Sequence, residues 1–144
     1  MTFFYLGADH AGFSLKEAVK TTLQAQGIAF EDLSPTFIEG DDYPLMAKSV
    51  AKAVANRPES AGITVCGTGI GTAIAANRLP GIRAFVGHSV EEVRIARQHN
   101  DANILALGGR MLSPQEANTL VEAFLTTERD PDVRHVRRIT QLEQ

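Results

Sequence analysis

Five short apolar runs, each rich in β-branched or aromatic residues, recur along the chain with helix-like sequence or a loop between them. They are Phe3–Gly7, Ile28–Leu33, Gly62–Cys66, Arg83–Val86 and Asn103–Leu107, and their lengths predict strands. This alternation constrains the fold more than any other feature, because parallel strands need long crossover connections and helices supply them. A parallel sheet is buried on both faces, so the expected class is α/β, with helices covering one sheet above and below. The order of the strands is not legible at this level.

The connecting segments carry helix signals of their own. Leu15, Ala18, Val19, Thr22 and Leu23 keep the helical period, and Gly27 then supplies a stop. Pro44, whose missing N–H costs little at a helix start, opens a second stretch through Leu45, Ala47, Val50, Ala51 and Val54 that ends near Asn56. Ser89 with Glu92, and Ser113 with Pro114 and Glu116, have the spacing of capping boxes, in which hydroxyl and carboxylate satisfy helix-terminal amides. A last, charged stretch from about residue 131 to 143 reads as a helix with a thin apolar stripe of Val133, Val136 and Ile139 or Leu142. No repeat or low-complexity linker intervenes, and a chain of 144 residues that is 44% hydrophobic can bury one core, so a single domain, 1–144, is expected.

A formal charge of −3 and a pI near 5.8 argue against a general nucleic-acid or anionic-membrane binder, which needs a basic surface, but leave a small anionic ligand open. No segment nears the roughly 20 apolar residues that span a bilayer. A secretory signal would need a longer apolar stretch than Phe3–Gly7, which Asp9 and His10 interrupt. The single cysteine excludes an intrachain disulfide framework, so a reduced, cytoplasmic setting is expected.

In parallel α/β sheets, ligands bind outside the carboxyl ends of the strands. Asp9 and His10 follow the first strand directly, as a polar pair at that edge or as a helix cap beside a surface histidine. The third strand runs into Cys66-Gly67-Thr68-Gly69-Ile70-Gly71-Thr72, after which helical composition resumes. Alternate glycines let the backbone approach a ligand closely, and their N–H groups can form a concavity for an oxyanion or phosphate. The spacing does not fit a dinucleotide G-x-G-x-x-G, and no Walker lysine follows, which disfavours nucleotide binding. A cysteine phosphatase would carry arginine six residues after the cysteine, where this chain has Thr72. A thiol ahead of a helix N-terminus gains thiolate character, so Cys66 is a candidate base; a lone cysteine closing a strand is otherwise a small core residue.

His99-Asn100-Asp101 lies between a helix end and the fifth strand, and His99 is an acid–base candidate or a helix C-cap. Arg134 and Arg138 share one helical face, from which two guanidinium groups could grasp a phosphate, unless the face is merely solvated. Arg110, after Gly108-Gly109, is a further candidate.

Taken together, Gly7-x-Asp9-His10-x-Gly12, the Cys66–Gly71 loop, Ala75-Ala76-Asn77, Arg97-Gln98-His99-Asn100-Asp101 and Arg134-His135-x-x-Arg138 resemble the type B ribose-5-phosphate isomerases. That family also contains allose-6-phosphate and galactose-6-phosphate isomerases. The resemblance implies a three-layer α/β/α sandwich on a five-stranded, Rossmann-like parallel sheet, working as a homodimer with shared sites, or as a tetramer in some members. It implies a sugar-phosphate substrate, with no metal and no cofactor. By position, Cys66 resembles the base that moves the proton between C1 and C2. The amides of Gly67, Thr68, Gly69, Ile70 and Gly71 resemble the cradle of the enediolate. His99 resembles the acid that opens the sugar ring, working with Thr68 and Asp9. His10, Arg134 and Arg138 match phosphate-binding positions, with Asn100 and Arg110 contributed by the neighbouring subunit. Some branches use a serine in this loop and a glutamate a few residues on; Cys66 and Thr72 put this chain in the cysteine branch. The alternatives are isomerisation of a six-carbon sugar phosphate and a non-catalytic sugar-phosphate sensor, the latter disfavoured by the presence of both Cys66 and His99. Residues 34–42 and 87–89 carry no assignment.

Overall fold

A computed structural model of the chain describes residues 1–144. Its elements alternate as expected: β1 (Phe3–Ala8), α1 (Phe13–Ala25), β2 (Phe30–Asp32), α2 (Tyr43–Ala55), β3 (Ser60–Cys66), α3 (Ile70–Ala76), β4 (Ala84–Val86), α4 (Val90–Asn100), β5 (Ile104–Gly108), α5 (Pro114–Thr126) and α6 (Val133–Leu142). The five strands form one parallel sheet in the order β2-β1-β3-β5-β4. The two edge strands are shorter than the apolar runs that predict them, three residues each, because each has a ladder partner on one side only.

All seven residues of the central strand β3 are buried, and alternate ones face opposite sides of the sheet. Ala61, Ile63 and Val65 of β3 join Leu15, Val19 and Leu23 of α1, Val93 of α4 and Leu120, Val121 and Phe124 of α5 in the larger core. On the opposite face Val50, Ala51 and Val54 of α2 pack with Ala76 and Ile104. The result is three layers: α1, α4 and α5 on one face of the sheet, α2 and α3 on the other.

Local signals act where they stand. Gly27 ends α1 with φ +67°, a left-handed conformation that costs glycine little. Pro44 sits in the first turn of α2. Ser113 and Glu116 form a complete capping box on α5. At α4 only half of the expected box forms: Ser89 Oγ accepts the Glu92 N–H at 3.2 Å, while the Glu92 carboxylate turns towards His88 Nδ1, 3.5 Å away. Nothing on α6 is buried, and Val133 and Leu142 are 77% and 62% exposed. No helix is long and apolar enough to cross a membrane.

Candidate active site

The strand order brings the carboxyl ends of β1, β3 and β5 side by side. Asp9 and His10 leave β1, Cys66 closes β3, and Arg110 follows β5 by one glycine. Together with Gly67, Thr68, Ile70 and Gly71 they line an open pocket of about 450 Å³, completed by Ala11, Tyr43 and Ile74.

Cys66 is buried, and its Sγ accepts the N–H of Gly69 at 3.2 Å. Thr72 Oγ1 lies 3.8 Å from the sulfur and 3.0 Å from the Gly69 carbonyl. A hydroxyl has one proton, and the carbonyl can only accept it. Towards the sulfur, Thr72 therefore takes an S–H or, by rotating, donates to a thiolate. Gly69 precedes α3 with φ +80°, and a Cβ there would stand 3.1 Å from Leu107 and Val86 atoms, so only glycine turns the loop this way. The turn leaves the N–H groups of Gly67, Thr68 and Gly71 without a partner in the chain, while Ile70 N–H donates to Thr68 Oγ1 at 3.3 Å. Unsatisfied amides beside a sulfur able to accept a proton make a site suited to charge that develops on oxygen.

On the β1 side, Asp9 is 5% exposed, and its Oδ1 accepts the Gly12 N–H at 3.0 Å. Gly12 is essential to this turn, because a Cβ would fall 2.3 Å from the Val65 carbonyl oxygen. His10 donates its backbone N–H to Asp41 Oδ1 at 2.7 Å, and its ring Nδ1 lies 3.1 Å from the same oxygen. That contact holds Nδ1 as the donor and leaves Nε2 for a ligand.

Asp41 belongs to the loop after β2, which is tied down by a buried charge cluster. Lys16, wholly inaccessible, donates to Asp32 Oδ2 and to the Ser34 carbonyl, both at 2.6 Å, and Ser34 Oγ accepts the Ala8 N–H at 2.8 Å. Burial pushes the Asp32 carboxyl up, but hydrogen bonds from Lys16 and Lys20 more than reverse this and hold it below the usual carboxylate range. The loop left unassigned in the sequence thus positions His10. Asp41 could not be found from local pattern, since it lies 31 residues from its partner. Tyr43 was likewise missed: its ring occupies the space beside Gly71, where a Cβ would stand 2.6 Å from ring carbons.

Arg110 lines the pocket of its own chain, its Nη1 3.4 Å from where a Gly67 Cβ would be, and it forms no ion pair there. His99, Asn100, Arg134 and Arg138, by contrast, do not reach this pocket. His99 and Asn100 end α4 just before β5, whose first residue Ile104 pairs with Gly62, whereas Cys66 pairs with Gly108. Four residues of strand separate the two edges, about 13 Å along the sheet. At the amino edge the His99 ring stacks on His135, centroids 4.2 Å apart with planes 10° apart. Arg134 and Arg138 project from exposed α6, and the Arg134 guanidinium holds the Asp132 carboxyl well below the usual carboxylate range. The expected grasp of one phosphate by His10, Arg134 and Arg138 is therefore not assembled within one chain.

A family model described as Ribose/Galactose Isomerase matches residues 4–142. The chain belongs to the ribose/galactose isomerase family. Ribose-5-phosphate isomerase B of Escherichia coli is 40% identical over 141 residues, covering 96% of this chain and 94% of that protein. A ribose 5-phosphate isomerase structure from Thermotoga maritima superposes with a TM-score of 0.94 at 42% identity, over 99% of this chain and 97% of the other. The structure of ribose-5-phosphate isomerase B from Mycoplasma genitalium, which contains ribulose 5-phosphate, matches with a TM-score of 0.91 at 36% identity, over 99% and 95% of the two chains. Within this isomerase family, the present chain keeps the three-layer fold and carries its cysteine at the carboxyl edge of the central strand.

Proposed function

We propose that this chain interconverts ribose 5-phosphate and ribulose 5-phosphate through an enediolate, with Cys66 as the base. The observation that carries the reading is the juxtaposition at Cys66: a sulfur that can accept a proton, unsatisfied loop amides beside it, and the His10 and Arg110 side chains lining the same pocket. The bound ribulose 5-phosphate of the Mycoplasma genitalium relative supports the substrate class.

In the open-chain aldose, the Cys66 thiolate removes the proton from C2, and the bonding electrons move to the C1 oxygen. The amides of the Gly67–Gly71 loop stabilise that oxyanion more than the ground-state carbonyl, each well-placed donor contributing about 3 kcal/mol. Transfer of the O2 proton to the O1 oxyanion, with return of the abstracted proton from Cys66 to C1 as C2=O forms, gives the ketose and regenerates the thiolate. Thr72 steadies the sulfur in both protonation states.

The site is completed by a second copy of the chain. Tyr43, Leu45, Ile70, Ile74 and Met111 leave apolar surface exposed at 39–71% around the pocket, and α6 presents a second bare stripe beside Arg134 and Arg138. In a two-fold dimer each chain offers both surfaces once, so two complete sites form. His99 of the second copy then opens the sugar ring as acid, and that copy's Arg134, Arg138 and Asn100 join His10 and Arg110 around the phosphate.

The test is kcat/KM for ribose 5-phosphate beside allose 6-phosphate and galactose 6-phosphate, for the wild type and Cys66→Ala. A preference for the five-carbon sugar, abolished by the substitution while inorganic phosphate still binds, is expected. A six-carbon preference would change the substrate and keep the mechanism; turnover unaffected by Cys66→Ala would remove the thiol from it.

A further inference from the structure

The cations proposed for the phosphate are not equally free. Arg110 and Arg138 form no ion pair in the chain, whereas Arg134 is engaged by Asp132. Arg134 Nε lies 3.1 and 3.3 Å from the two oxygens of Asp132, and Nη2 lies 2.8 Å from Oδ2. This is the forked edge with which an arginine grips a phosphate. Asp132 cannot drift away from it. As N-cap of α6 its Oδ1 accepts the Arg134 backbone N–H at 2.8 Å, and its carbonyl accepts from His135 and Val136 at 2.9 and 3.1 Å. Its own N–H is held by Asp130 Oδ1 at 2.9 Å. One carboxylate is thus both the cap of the helix and a tethered ligand of the arginine that the helix displays.

We infer that Asp132 tunes the affinity of the site: it is an internal anion that any ligand of Arg134 must displace, and so it weakens capture of the sugar phosphate. A phosphate monoester carries close to two negative charges at neutral pH and three acceptor oxygens, and so gains on exchange. The tethered rival acts at high effective concentration and opposes every such anion alike, so it lowers affinity without changing the ranking of ligands.

This inference rests on the proposed phosphate role of Arg134, and the experiment separates the two. Asp132→Asn removes the charge and keeps a side-chain oxygen that caps helices equally well, and Asp132→Ser is a second capping variant. In both, KM for ribose 5-phosphate falls about two- to fivefold, the range expected for releasing an exposed ion pair, with kcat unchanged. Competitive inhibition by inorganic phosphate strengthens by the same factor. An unchanged or raised KM in Asp132→Asn, with Arg134→Ala raising KM, overturns the inference alone. An Arg134→Ala enzyme with normal KM overturns the phosphate role itself, and the inference with it.

Discussion

His10 shows how little local sequence says about a working side chain. Its ring lies a third exposed at the pocket, and Asp41, a loop residue far away in sequence, fixes both its backbone and its Nδ1. A hydrogen bond to a charged acceptor is worth about 1.5–3 kcal/mol, so Asp41→Ala is expected to raise KM for the sugar phosphate by about tenfold or more while kcat changes little. Asp41→Asn, which keeps the acceptor oxygen, should recover most of the loss; steady-state kinetics on the three proteins checks this. Equal KM values would show that His10 needs no such support. Cys66 behaves differently. Its place at the pocket was legible as a thiol before a glycine loop, because strand, cysteine and loop are contiguous; what could not be read was that Thr72 and the Gly69 amide converge on the sulfur.

Among the elements, α1 carries a feature that the helical period does not announce. Lys16, next to Leu15 in sequence, is as buried as the core leucines and stands 4.4 Å from the Phe13 ring. It is tolerated because Asp32 and the Ser34 carbonyl satisfy it, and the same bonds anchor the loop that carries Asp41. Removing one partner strands a buried charge, so Asp32→Asn is expected to cost about 3 kcal/mol of stability at neutral pH. The pH dependence follows from the lowered Asp32 pKa. A carboxyl that titrates lower when folded than unfolded stabilises fully above about pH 4 and loses its contribution as pH falls through the folded value. The urea midpoints of wild type and Asp32→Asn should therefore differ at pH 6 and converge towards pH 2–3. A gap that stays constant with pH would place the stabilisation elsewhere.

For the whole molecule, the decisive arrangement is that the candidate residues fall into two groups at opposite edges of one sheet. If two chains share each site, Cys66→Ala and His99→Ala are each inactive alone, yet their mixed dimer holds one site with both lesions and one with none. Random pairing makes half the dimers mixed, each with half its sites intact, so mixing after reversible dissociation should restore about a quarter of wild-type activity. No recovery, with mixed dimers demonstrated by native mass spectrometry, would mean that each chain works alone.

What the sequence determined by itself was the class of fold and the position of the one contiguous part of the candidate site, the Cys66 loop. Strand positions were written in short β-branched runs, helix ends in Gly27, Pro44 and the Ser113 box, and the Cys66 loop in one unbroken stretch, since each depends on neighbours in the chain. Edge strands came out shorter than their apolar runs because pairing, not propensity, sets where a ladder stops. Tertiary structure decided the rest. The order β2-β1-β3-β5-β4 gathered Asp9, Cys66 and Arg110 and sent His99 to the far edge, and neither outcome is visible in any window of sequence. The physical reason is that local pattern reports backbone preference and burial along one element, whereas a site is made where distant elements meet.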